Sequence, residues 1–193
     1  MANINAVHSV GNSLITYLKN SFPASIHTKQ PCEFLLLSSG ELASQPDFGT
    51  AISLYLFRVT VNEHLRNAKR ANDPSGSSPP LSLDLHYLLS VWADNAMDEH
   101  VLLAWALDQL HRHPVLDVSA LTPEAEWTTG DFIQLIPAEL STEDLMRIWD
   151  ALDPAYRLSV SYIARVVRIG GQAAEGAPSV ASRFGFDSSG PAR

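Results

Sequence analysis

Glu99, His100, His111 and His113 come nearest, in type and spacing, to a catalytic or metal site. A carboxylate beside histidines can hold zinc or activate a water molecule. His100 and His111, however, lie about three turns apart on one predicted helix, too far to share an ion. His100 falls on an apolar stripe of that helix, which favours a hydrogen-bonded core histidine over a ligand. We predict no catalytic residue and no metal, with a small metal-dependent hydrolase using Glu99 and His100 as the alternative.

Cys32 is the only cysteine of the chain. A single cysteine forms no internal disulfide and assembles no cysteine-based zinc or iron–sulfur site, which fits a reducing cytoplasm. Its place at the edge of an apolar strand is typical of a buried, inert thiol. The glycines at 11 and at 170–171 lack the spacing of a phosphate-binding loop. The sequence therefore predicts no cofactor.

The composition and net charge of the chain limit the classes of partner that it can bind. Of the 193 residues 46% are apolar and 18% charged, and the net charge is -8, values that suit one globular domain. Nucleic acids and membrane surfaces attract proteins with a surplus of Lys and Arg, so neither is expected as a partner. No stretch of about 18 uninterrupted apolar residues could span a bilayer, and the first residues lack a signal-peptide pattern.

The elements that must position any site follow from hydrophobic spacing. Alternation of apolar and polar residues over 81–91 predicts a half-buried strand, and three-and-four spacing over 145–152 predicts an amphipathic helix. Ser38, Ser39 and Gly40 predict a turn after the first strand. Helices are expected over 4–18, from Asp94 or Asn95 to about His111, and over 141–152; strands over 33–37, 51–62, 81–91, 132–136 and 157–169.

These elements predict a single α+β domain over residues 1–169, with a mostly antiparallel sheet of about five strands and three helices. The strands 51–62 and 81–91 would form an antiparallel hairpin with a long excursion at its tip. Residues 170–193 hold five of the ten glycines, which predicts a flexible Gly/Ala/Ser-rich tail. In that tail Phe184 and Phe186 resemble a short anchor, and an idle, solvated tail is the open alternative.

Charge is distributed unevenly along the chain. Residues 94–153 hold thirteen acids and two bases, whereas the remainder holds eight acids and eleven bases. A protein with an acidic side and basic projections suits contact with copies of itself or docking on an oppositely charged ring, and an ordinary acidic surface is the alternative. The candidate interface residues are basic groups of the hairpin excursion and the last strand, with one tryptophan from the strongly apolar helix: Arg66, Lys69, Arg70, Trp105, Arg157, Arg165 and Arg168.

Four segments, taken together and in this order, resemble one known family: 81–90 (LSLDLHYLLS), 107–116 (LDQLHRHPVL), 132–140 (FIQLIPAEL) and 156–162 (YRLSVSY). The chain resembles, over about residues 3–169, the cap or tube-terminator proteins of phage-tail-like extracellular contractile injection systems. That resemblance implies a fold like a phage tail terminator and a structural role without catalysis.

The resemblance also implies partners. Proteins of this family look like subunits of a homo-hexameric ring that stops the inner tube and contacts the last ring of sheath protein. The implied location is the bacterial cytoplasm during assembly and the injection particle afterwards. We hypothesise that Phe184 and Phe186 reach a neighbouring subunit or the sheath, and that Arg66, Lys69 and Arg70 touch the tube end. An adaptor that binds one partner through its tail is the rival that needs no ring.

Overall fold

The described part of the chain forms four α-helices and six strands, in a computed structural model that describes residues 2–24, 31–44, 47–62, 80–152 and 154–170. In chain order they are α1 (Ala6–Ser21), β1 (Glu33–Leu37), α2 (Ser39–Ala43), β2 (Ala51–Val61), β3 (Leu81–Trp92), α3 (Ala96–Arg112), β4 (Val115–Asp117), β5 (Phe132–Ala138), α4 (Thr142–Leu152) and β6 (Ser159–Ile169). A short 3₁₀ helix, Pro123–Ala125, precedes β5.

The strands form one six-stranded sheet in the order β1-β2-β3-β6-β5-β4. All neighbours are antiparallel except β1 and β2, which run parallel. The predicted α+β class is confirmed, and so is the β2–β3 hairpin. The predicted number of about five strands is one too low, because β4 has only three residues and shows no readable alternation.

The core lies on both faces of the sheet. On one face α1 and α3 cover β3 through Leu85, Tyr87 and Leu89. On the other face, the short α2 and α4 pack near the C-terminal end of β3 over Leu88 and Trp92. The prediction that β3 is half-buried is therefore wrong. A central strand with helices on both sides is buried through most of its length, whatever its alternation suggests.

The predicted turn at Ser38 is the start of α2. Ser38 caps this helix, since its Oγ accepts from the Glu41 backbone N–H, and the Glu41 carboxylate accepts from the Ser38 backbone N–H at 2.7 Å. The hydrogen bonds from Ser38 also lower the pKa of Glu41. This reciprocal arrangement is a capping box, and its Ser-x-x-Glu spacing was readable in the sequence.

Candidate assembly interface

The structure separates the sequence-predicted interface residues. Arg66, Lys69, Arg70, Phe184 and Phe186 lie outside the described residues. The other four are described, and they fall in three different places: the arginines at 165 and 168 lie together on β6, Arg157 precedes β6 at the opposite end of the sheet, and Trp105 lies on α3.

Arg165 and Arg168 share one face of the sheet because β6 contains a bulge. Leu85 pairs with Ala164 and Leu83 with Val167, so β6 has one residue more than β3 between these pairs. Without the extra residue, side chains three positions apart would point to opposite faces. Both arginines are exposed as a result.

A shallow groove lies beside the two arginines, with Trp127, Asp131 and Phe132 along its wall. The Phe132 side chain is 58% exposed, which is high for so large an apolar group. The Arg165 Nε lies 3.8 Å from Oδ2 of the buried Asp84, so this arginine is only loosely paired there. Guanidinium groups next to an exposed aromatic ring suit a partner surface that carries carboxylates or aromatic rings.

Arg157 belongs to a different environment. Its guanidinium carbon lies 5.1 Å from the centre of the Trp92 ring, a cation–π distance. The Arg157 Nε is buried and has no hydrogen-bond acceptor in the described structure. Eight residues of extended chain separate it from Arg165, about 26 Å. The two ends of β6 therefore cannot form a single basic patch.

Trp105 packs mainly against residues of its own chain. Its ring is half-buried on α3 and meets Phe22 and Phe34 edge-on, at centroid distances of 4.9 and 5.9 Å. Two large apolar side chains of α3 also face outward: Met97 is 76% exposed and Val101 is 44% exposed. These two residues lie four apart on one side of the helix. The excess apolar surface read from the sequence therefore includes Met97 and Val101, which sequence reasoning did not single out.

The residues of the hydrolase alternative form no site. His100 is exposed, so its prediction as a core histidine is wrong. α3 turns Leu102 and Ala106 to the core, and His100 lies two residues before Leu102, on the opposite side of the helix. Within the described residues, no group of three or more His, Cys, Asp or Glu side chains could hold a metal ion.

No helix in the described part of the chain has both the length and the apolar character needed to cross a membrane.

Sequence reasoning also missed a free strand edge. β1 pairs only with Ala51–Tyr55, so the outer edge of β2 over Leu56–Val61 has no neighbouring strand among the described residues. Val59 and Val61 on this stretch are 46% and 49% exposed. The signal in the sequence was the difference in length between the two predicted strands, 33–37 and 51–62, which the structure shows as strands of five and eleven residues.

Comparison with known proteins decides the family. Residues 9–183 match the family described as the Pvc16 N-terminal domain. The chain belongs to this family. The predicted membership among cap and tube-terminator proteins is thereby confirmed. No curated protein sequence matches the chain.

Two solved structures are similar to this Pvc16 N-terminal domain. One is the sheath/tube terminator of PVC, an extracellular contractile injection system, in its extended state, with 19% identity and a TM-score of 0.56 over 95% of this chain. The other is the tube-terminating cap of the anti-feeding prophage, with 16% identity and a TM-score of 0.54 over 96% of this chain. Identities this low establish a shared fold. The chain spans 65% and 62% of the length of these two proteins.

Proposed function

We propose that this protein terminates the inner tube of a contractile injection system, as a homo-hexameric ring that caps the tube and contacts the last ring of sheath. The observation that carries the proposal is the match of 95% and 96% of this chain to a sheath/tube terminator and to a tube-terminating cap. The proposed partners are other copies of the chain, the inner tube protein and the sheath protein. The protein assembles in the bacterial cytoplasm and remains in the particle.

The described surface supports ring formation in one specific place. Met97 and Val101 form an exposed apolar stripe on α3, while Leu102, Ala106 and Leu110 fill the core side of the same helix. A helix that is apolar on two sides is suited to pack between its own sheet and a neighbouring subunit. We place the subunit contact along this stripe, with Trp105 at its edge.

The basic groups are assigned to the tube and the sheath. The β2–β3 connection, with Arg66, Lys69 and Arg70, is proposed to touch the tube end. It joins the end of β2 to the start of β3, and the exposed Arg168 lies at this same end of the sheet. Arg165 and Arg168 would extend that basic surface. Arg157 lies at the far end of β6 and is assigned to a different neighbour. Phe184 and Phe186 of the tail are proposed to contact a neighbouring subunit or the sheath.

The test is polymerisation of the inner tube protein of the same gene cluster with and without this protein, with tube lengths measured by negative-stain microscopy. Shorter tubes with a distinct density at one end are the expected result. The substitution Val101→Glu places a charge in the apolar stripe and is expected to abolish capping, whereas Glu143→Gln on the exposed face of α4 is the matched control. Unchanged tube lengths with bare ends would refute the proposal.

A further inference from the structure

The free half of the β2 edge meets a groove at Leu56. Backbone N–H and C=O groups of an edge strand point outward and accept another strand. The groove has a volume of about 710 Å³ and lies between the start of α1, the end of β1 and the start of α2. Part of its lining is apolar and part is polar: Ile4, Val7, Leu36 and Leu56 on the one hand, and Asn5, His8, Ser38, Ser39 and Glu41 on the other. An added strand would cover the open edge and the apolar part of this groove.

The groove and the exposed valines lie on the same side of the sheet. Leu56 pairs with Tyr87, and Val59 pairs with Leu85, so both side chains point to the face that α1 covers elsewhere. The Tyr87 hydroxyl, which lines the groove, donates to the Val7 carbonyl at 3.3 Å, and this bond links β3 to α1. Ile4, at the open end, is 84% exposed. An added strand would bury alternate side chains here.

A segment of the same chain has the pattern that this groove requires. Residues 180–187 read VASRFGFD, and in an extended strand Val180, Phe184 and Phe186 point to one side while Arg183 points to the other. Peptides that add to a sheet edge are held by main-chain hydrogen bonds and by alternate side chains in pockets. Two phenylalanines at that spacing can pack against Leu56 and against the exposed Val59 and Val61 on the same side of the sheet.

We propose that residues 180–187 of one subunit add as a strand to the Leu56–Val61 edge of a neighbouring subunit, with Phe184 and Phe186 in its groove. The inference rests on the proposed ring. In a ring each subunit would donate one tail and receive another, which is a head-to-tail contact of the kind that forms closed rings when the rotation between neighbours closes.

The position of the last described residue favours a neighbouring subunit over the tail's own. The Gly170 N–H donates to the Ala2 carbonyl at 2.9 Å, which fixes the start of the tail next to Leu81, the partner of Ile169. The β2–β3 connection leaves and re-enters the sheet at this same end, between β6 and the outer edge of β2. A tail that returned to its own β2 would cross that connection, and connections rarely cross at one edge of a sheet. Residues 171–179 extend to about 30 Å, which gives the tail room to reach a neighbour.

Cross-linking of paired cysteines tests the proposal in the full chain. In a Cys32→Ala background, Arg58→Cys at the β2 edge is combined with Arg183→Cys, both of which leave the groove and the two phenylalanines intact. Tube-bound protein is treated with a short bismaleimide and analysed on denaturing gels. The expected result is a ladder of covalent oligomers up to the size of the ring. Adding Phe184→Ser and Phe186→Ser should reduce the ladder at least tenfold.

The control places the first cysteine elsewhere. Asp150→Cys on the exposed side of α4 combined with Arg183→Cys should give monomers only, because α4 packs at the Trp92 end of the sheet, six residues of β3 or about 20 Å from His86, the partner of Arg58. An internally cross-linked monomer would overturn the inference, because the tail would then bind its own subunit. Capped tubes without a ladder would overturn it as well. These outcomes leave the capping function intact, whereas failure of the unmodified protein to cap tubes would refute the ring itself.

Discussion

Ser9→Ala tests the connection that holds the irregular segment 118–131 against α1. Ser9 is fully buried, and its Oγ donates to the Thr122 carbonyl at 2.9 Å and accepts from the Trp127 Nε1–H at 3.0 Å. Alanine removes these bonds and leaves a partly buried indole N–H without its acceptor. A net hydrogen bond contributes about 1 kcal/mol and a buried orphan group costs about 1 to 3 kcal/mol, so the variant should lose about 2 to 3 kcal/mol.

Urea unfolding followed by far-UV circular dichroism measures this loss. For a domain of this size the same change lowers the melting temperature by about 5 to 10 °C. A double-mutant cycle with Trp127→Phe isolates the indole–hydroxyl bond, and we expect a coupling energy of about 1 kcal/mol. Ser39→Ala on the exposed α2 is the control, expected to stay within about 0.5 kcal/mol. A loss below about 0.5 kcal/mol for Ser9→Ala would refute the reasoning.

Three further predictions concern the core. Trp149→Ala removes a buried ring that packs 6.1 Å from that of Trp92, and should cost about 3 to 5 kcal/mol in urea unfolding; a loss under 1 kcal/mol would contradict that packing. Burial raises the pKa of Cys32 to about 12, so Ellman's reagent at pH 8 should modify it only after unfolding, and rapid native reaction would contradict this. Because burial raises the folded-state pKa of this thiol above its ordinary value, its contribution to stability is complete below pH 9 and is lost toward pH 12. Gly11→Val should lower the melting temperature, because a β-carbon at position 11 would lie 2.9 Å from the Leu36 Cδ1 and 3.3 Å from the Tyr87 hydroxyl. An unchanged melting temperature would contradict this and show that the Leu36 side chain moves aside.

Local signals were sufficient for α1, α3 and α4, whereas α2 was predicted as a turn, so the predicted number of three helices is one too low. Asn95 caps α3 by accepting from the Asp98 N–H at 3.0 Å, and Ser141 accepts from the Asp144 N–H at 3.0 Å before α4, as their spacing predicts. Gly11, whose presence weakens the helical pattern of α1, is the position where the helix approaches Leu36 and Tyr87 too closely for a side chain. The glycine can be read in the sequence, but the need for a glycine at this position depends on the packing of α1 against distant strands.

Strand pairing was beyond such signals. The parallel pairing of β1 with β2, and the extra residue of β6 that brings Arg165 and Arg168 to one face, depend on contacts between residues far apart in the chain. Simple alternation cannot show a bulge, because one added residue reverses the facing of every later side chain. The interface residues could therefore be chosen by type and charge, but their grouping on the surface could not be predicted.

The free edge of β2 owes its form to a second bulge. The register of β2 against β3 shifts between Leu56 and Arg58, immediately after Tyr55, the last residue that pairs with β1. A bulge increases the local twist, and β1 leaves this edge at the same point because Ser38 begins α2. A strand that pairs with the outer half must therefore arrive separately. Natural proteins protect exposed edges with bulges and charges, and Arg58 supplies one charge here. Val59 and Val61 do not protect the edge, because their exposed side chains leave apolar surface beside it. Their exposure is consistent with an edge that is occupied in the assembly, as the cross-linking experiment requires.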